Sequence, residues 1–219
     1  ILTELTSTLR LQVEGLMRIE EYLTRIDALR AKARWAIANG AVKPIISTDG
    51  RLLLRKARHP LLQQTLRSQN KEIVPLDMEL NAERRILVIS GPNAGGKSVC
   101  LKTTGILQYM VQCGFLIPAL ENSEFPLFHS LMIDIGDQQS LENDLSTYSS
   151  HLVNMRAMID EASEHTLILI DEFGSGTEPT IGGAISESIL ERFVERKAYG
   201  VITTHYANIK YFASRNEGV

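Results

Sequence analysis

Eight residues, "GPNAGGKS" at 91–98, constrain this chain more than any other stretch. They fit G-x-x-x-x-G-K-[S/T] without a gap. They stand between a short apolar run, "RRILVIS" (84–90), and a segment of helical apolar period at about 97–112. A chance glycine-rich loop is the competing explanation, and the strand-to-helix setting counts against it. Gly91, Gly95 and Gly96 allow the backbone to wrap a phosphate closely, in a loop that includes Pro92, Asn93 and Ala94 and runs into Val99. Lys97 would put a point charge on β/γ oxygens, and Ser98 would offer its hydroxyl to Mg²⁺. The expected cofactors are ATP and Mg²⁺.

Downstream residues extend this chemistry. "TLILIDE" (166–172) reads as a buried strand that delivers Asp171 to its C-terminal end beside the loop, where it can hold Mg²⁺ in its second shell. Glu172, one residue further, is placed to polarise an attacking water. "TTHY" (203–206) follows one strand later and would set His205 near a γ-phosphate. The expected catalytic residues are therefore Lys97, Glu172 and His205, with Ser98 and Asp171 at the metal. An adjacent Asp-Glu pair favours hydrolysis over phosphoryl transfer to a second substrate. Between the two motifs lies "LSTYSSH" (145–151), with five consecutive hydroxyl side chains from Ser146 to Ser150 at the start of a helix predicted over about 145–162. Capping needs only one of them. A helix N-terminus rich in hydroxyls also reads phosphate. The 91–98 loop already surrounds its own phosphates, so Ser146 is expected to serve a neighbouring chain's nucleotide.

The pass along the chain predicts an α/β fold with a mostly parallel central sheet. Strands are expected within 51–60, stopped by Pro60, and within 71–80, with Pro75 near an edge or bulge. Others are expected at 115–119, 128–135 and 200–205, and a helix at 182–196. Ahead of them, Leu2, Leu9, Leu16, Leu23 and Ile37 keep a seven-residue spacing that Arg30 interrupts. Leu5, Ile19, Ile26 and Ala33 form a second series, interrupted by Gln12. This predicts one helix from residue 2 to about 38, roughly 55 Å long, ended by "NG" at 39–40 and Pro44. It is either a packing partner in a bundle or a lever to a remote module. The boundary is expected near residue 43, giving a helical region at 1–43 and a nucleotide-binding domain at 44–219.

Composition excludes some classes. The formal net charge of −3 leaves no global basic field, so any nucleic-acid contact must be local or made elsewhere. No apolar run approaches membrane-spanning length. Cys100 and Cys113 lack metal-site spacing and are expected as buried, unpaired thiols in a reducing compartment. With Ile1 in place of Met and a polar end, "RNEGV", the sequence is expected to be a piece of a longer, cytoplasmic protein.

"GPNAGGKS", "LSTYSSH", "DEFGSGTEP" and "TTHY", in that order, resemble the ATPase domain of the MutS family, a branch of the ABC-type P-loop NTPases. "IGDQQSLENDLSTYSSHL", "KARHPLL" (56–62) and "AKARWA" (31–36) resemble the MutS-two branch in particular. The resemblance implies a cytoplasmic homodimer that couples ATP binding to clamping on branched or mismatched DNA, or to splitting collided ribosomes. It implies suppression of recombination and an Smr-type nuclease domain elsewhere in the full-length protein. The fold it implies is an ABC-type domain with a β-rich subdomain beside the central sheet, preceded by the end of an all-α lever. It assigns Asn93, Lys97 and Ser98 to the phosphate loop, Ser146 to a signature acting in trans, and Asp171 and Glu172 to the acidic strand end. The resemblance likewise implies that Gly174 to Thr177 form a loop that crosses the dimer, with Gly176 and Thr177 touching the partner's nucleotide, and that His205 is the switch histidine. One departure stands out. Where the mismatch-binding branch stacks an aromatic residue on adenine, this chain has Ile73 and Val74, so apolar contact and weaker base selectivity are expected. The reading from another class is a nucleotide-gated dimerisation switch that does not hydrolyse; Glu172 and His205 argue against it. A transport ATPase would need a glycine-rich signature in place of "LSTYSSH".

Overall fold

The computed structural model describes residues 2–92, 95–135 and 144–219, and only the backbone of residues 144–148 and 150. The chain divides into two compact units, Ile1–Ala41 and Val42–Val219.

The first unit holds α1 (Leu2–Arg10) and α2 (Val13–Asn39). The single helix expected here is therefore broken at residues 11–12. Gln12 takes φ −109° and ψ 2°, and its amide donates to the Leu9 carbonyl at 2.9 Å, a turn rather than a helical bond. The sequence beforehand is a weak helix former. Thr6, Ser7 and Thr8 each return a hydroxyl to the carbonyl four residues back, at 2.8–3.0 Å, which competes with the backbone ladder. α2 ends as "NG" predicts. Gly40 adopts φ 56° and ψ 46°, and this left-handed cap closes the last turn.

The second unit contains two four-stranded sheets. One comprises β1 (Ile45–Ile46), β2 (Leu52–Ala57), β3 (Leu76–Leu80) and β5 (Glu124–Phe125), in the order β1-β5-β2-β3. The other comprises β4 (Ile86–Ser90), β6 (Ser130–Asp134), β7 (Thr166–Ile170) and β8 (Tyr199–Thr204), in the order β4-β8-β7-β6. Every pairing in it is parallel. The helices are α3 (Pro60–Ser68), α4 (Lys97–Gln112), α5 (Asp144–Glu161), α6 (Pro179–Glu195) and α7 (Ala207–Arg215).

Alternating residues on β7 feed two cores. Leu167 and Leu169 pack with Leu101 and Leu107 of α4 and with Leu52, Leu54 and Phe125 of the first sheet. Ile168 and Ile170 pack with Met155 and Met158 of α5, Leu190 and Phe193 of α6, and Ile209 of α7. All five residues of β7 are buried, each large apolar one contributing about 1.5–3 kcal/mol. Burial on both faces holds β7 and β8 in place and fixes where their C-terminal ends point.

Other expectations need correction. Pro60 does not stop a strand at its own position: β2 ends at Ala57, and Pro60 opens α3. A proline costs nothing in a first turn, where its missing N–H has no partner, and His59 Nδ1 caps the turn by accepting from Leu62 N at 3.3 Å. The strand expected over 71–80 begins only at Leu76, because Pro75 has no amide to give a ladder. Residues 115–119 form no strand; Ile117 makes one isolated bridge to Val42. Cys113 is exposed at the end of α4, while Cys100 is half-buried; neither is in a disulfide. Among the described residues, no helix is long and apolar enough to cross a membrane.

Candidate functional site

The C-terminal ends of β4, β8 and β7 lie side by side, and each carries a residue singled out from the sequence. The parallel register sets Ser90 opposite Thr204 and Ile170 opposite Ile202. The chain leaves β4 into Gly91, φ 151°, and enters α4 through Gly96, φ 82°. At that angle a side chain would be strained, so glycine is required for the strand to turn directly into the helix. Gly95 N donates to Pro92 O at 3.0 Å and tightens the turn. Asn93 and Ala94 lie outside the described residues.

Lys97, the first residue of α4, is only 5% exposed. Its Nζ donates to Gly91 O at 2.5 Å and lies 3.4 Å from both ring nitrogens of His205. His205 Nε2 in turn lies 4.0 Å from Glu172 Oε1. One residue from the start of α4 and two from strand ends, 108 positions apart at the extremes, thus form one line. Ser98 follows Lys97 and is half-buried, and Val99 is exposed.

β8 stands between the loop strand and the acidic strand, so Asp171 is two strands from the loop rather than directly beside it. Thr203 of β8 bridges the gap. Its hydroxyl donates to Asp171 Oδ1 at 2.5 Å and accepts from Glu172 N at 2.8 Å, while Thr203 O accepts from Phe173 N at 2.8 Å. Glu172 adopts φ 51°, a left-handed angle that a non-glycine residue holds only when its surroundings enforce it. These bonds supply that enforcement and aim the Glu172 side chain outward, half exposed, toward His205.

A cavity of about 510 Å³ opens beside the glycine loop. Ile73 and Val74 line it together with Leu62 and Leu66 of α3, Gly96 and Val99. The structure thus brings the two apolar residues next to the loop; among the described residues the lining holds no Phe, Tyr or Trp, and its one ring is the imidazole of His59. Cys100 also faces this cavity, and burial pushes its thiol up to about 11.

The family comparison follows the same elements. A family described as MutS domain V matches residues 87–219, from β4 to the end of the chain. The chain belongs to the MutS domain V family. Its relatives include proteins named Endonuclease MutS2. That of Shouchella clausii is 44% identical over 218 residues, covering 100% of this chain and 27% of the relative. That of Geobacillus sp. (strain WCH70) is 42% identical over 219 residues, with the same coverage. That of Brevibacillus brevis is 42% identical over 213 residues, 97% of this chain and 26% of the relative. The chain spans about a quarter of the length of these curated relatives.

In this MutS domain V, the segment after Glu172 is held against α6. Gly174 has φ 88°, and its carbonyl accepts from Tyr206 Oη at 2.9 Å. A Cβ on Gly182 of α6 would stand 2.7 Å from that same carbonyl and 2.8 Å from Thr177 Cγ2. Gly176 has φ 92° and is exposed. Glu178 caps α6 by accepting from Ile181 N at 2.9 Å, bonds that hold its carboxyl below the usual carboxylate range. Ser146 stands in the first turn of α5; its side chain lies outside the described residues.

Sequence reasoning missed Thr203, Asp134 and His151. Asp134 is the last residue of β6 and Asp171 directly follows β7, each an aspartate at the close of an apolar strand, a signal that could have been read. Thr203 carried a fainter one, a polar residue two positions before His205, where the apolar run of β8 gives way to a pair of threonines.

Proposed function

We propose that this domain is a P-loop ATPase module of the ABC type that binds ATP with Mg²⁺ and hydrolyses it. The observation that carries this reading is the line from buried Lys97 through His205 to Glu172, with Asp171 held beside it by Thr203. Lys97 and the glycine turn bind the β- and γ-phosphates at the N-terminus of α4. The base enters the apolar cavity lined by Ile73 and Val74. Ser98 and Asp171 fit Mg²⁺: a hydroxyl and one carboxylate are the hard, sparse oxygen set that leaves places for water and phosphate oxygens. With one Asp171 oxygen taken by Thr203, the other would be left to serve the metal or its waters. The ion supplies charge neutralisation on the phosphates. Glu172 orients and polarises the water, and His205 contacts the γ-phosphate and reports its presence to β8.

In the same reading two chains pair head to tail. Ser146, Gly176 and Thr177 of each complete the nucleotide site of the other. Cytoplasmic location goes with reduced Cys100 and Cys113. The relatives' name points to DNA, and the energy of hydrolysis would drive clamping on branched or mismatched DNA or on collided ribosomes through the rest of the full-length chain. The nuclease chemistry in that name would reside outside these 219 residues.

Two substitutions in the full-length protein test the reading. Lys97→Ala should weaken ATP binding, since it removes the charge nearest the phosphates. Glu172→Gln should retain binding and lose steady-state phosphate release, about 100-fold or more. Nucleotide titration and turnover measured on the same preparations separate the two. Loss of ATP affinity in Glu172→Gln would remove its assigned role, and wild-type protein that releases no phosphate with Mg²⁺ would remove the ATPase reading.

A further inference from the structure

Asp134, at the end of β6, is 7% exposed and is used by nothing in the site as described above. It makes contacts in three directions. Its backbone carbonyl accepts from Asp171 N at 3.0 Å. Its Oδ2 lies 2.7 Å from His151 Nδ1, and its Oδ1 accepts from Asn154 Nδ2 at 3.5 Å. His151 and Asn154 stand three positions apart on α5, so both reach the same carboxylate from one helix face. Asp134, His151, Asp171, Glu172 and Gly174 also line a single small cavity. An unbroken path of hydrogen bonds therefore runs from the residue proposed to serve Mg²⁺, through the end of β6, to a helix whose first turn carries Ser146, five residues before His151.

We propose that Asp134 and His151 are positioning residues: their pair is a strut that fixes α5 against the acidic strand end. It thereby couples one chain's own nucleotide site to the signature that chain presents to its neighbour. The inference rests on the ATPase reading above. A buried carboxylate is costly without partners, and among the described residues both polar partners of this one come from α5, so the carboxylate selects one setting of the helix. A helix shifted by about 1 Å at its N-terminus would misplace any group that acts on a neighbour's phosphate, a displacement that commonly costs about 100-fold in rate.

The test uses the full-length, dimeric protein. His151→Ala should lower kcat about 10-fold or more while leaving the affinity of each chain's own loop for ATP within about two-fold, since Lys97 and the glycine turn are untouched. His151→Asn keeps a donor for Asp134 and should restore most of the rate. The double variant Asp134→Ala/His151→Ala should be no slower than the slower single variant, because the two act as one unit. His151 is partly exposed, so its variants fold even where Asp134→Ala does not. If His151→Ala lowers only the melting temperature, with kcat per folded molecule within about two-fold of wild type, the pair is a plain tether and the proposal is overturned. Equal rates for the Ala and Asn variants would overturn it too. A wild-type protein without turnover would instead sink the ATPase reading, and this inference with it.

Discussion

Thr203 joins the two acidic residues of the site to the neighbouring strand through one hydroxyl, donating to Asp171 and accepting from the amide of Glu172. Thr203→Val keeps the shape and removes both bonds. Outer partners of this kind are commonly worth about 10–100-fold in activity or metal affinity. The variant should therefore show a rate reduced in that range and a raised Mg²⁺ requirement, while Thr203→Ser stays near wild type; a Mg²⁺ titration of turnover measures it. The two cysteines differ as their surroundings do. Burial holds the Cys100 thiol at about 11, whereas Cys113 is exposed. The thiolate is the reactive form, so at pH 8 a disulfide reagent should modify one thiol per chain readily, and mass mapping should find it at Cys113. Cys100 lines the cavity proposed for the base, and its slow reaction should slow further with ATP present.

At the scale of elements, α6 depends on a close approach to the segment after Glu172. A methyl group at Gly182 would meet a backbone carbonyl, Gly174 O at 2.7 Å, which cannot rotate away as a side chain does. Gly182→Ala gains helix propensity, but the overlap should dominate. A net loss of about 1–3 kcal/mol is expected in denaturant unfolding, with a drop in turnover, because the displaced segment carries Gly176 and Thr177. The regular elements were the legible ones. The boundaries of α4 follow directly from the glycine turn and the apolar period, and β4, β7 and β8 were marked by short apolar runs between polar residues. Elements whose existence depends on a partner were not legible. β1 and β5 are two residues each and exist through pairing with each other and, for β5, with β2. α3 was hidden because a proline reads equally as a strand's end and a helix's first turn. The long N-terminal helix was misjudged because seven-residue spacing continues through a turn as readily as through a helix. At the site, the residues with motif spacing could be placed in advance. Asp134 and Thr203 each stood at a legible strand end, but their roles and that of His151 could not be foreseen, because they arise from the order β4-β8-β7-β6, which brings distant positions level.

At the scale of the whole molecule, the site as described belongs to one chain, and its proposed completion comes from another. Serine is a favoured cap, and if Ser146 only caps α5, its loss should cost roughly 1 kcal/mol of stability with activity per folded molecule unchanged. If it reads the neighbour's γ-phosphate, Ser146→Arg should abolish turnover while each chain's own loop still binds ATP. The two classes of defect should then complement. A Lys97→Ala chain has a defective loop and an intact signature, and a Ser146→Arg chain has the reverse. Mixed in equal amounts with free exchange of subunits, half the dimers are mixed, and each has one site built from a good loop and a good signature. With sites acting independently, turnover should recover to about a quarter of the wild-type value, although neither variant turns over alone. The experiment calls for full-length protein, since this chain spans 27% of its relatives' length. Exchange is followed by labelling one variant and recovering it with the other. Exchange without any recovery of turnover would mean that both defects fall in the same site, so that each chain completes its own.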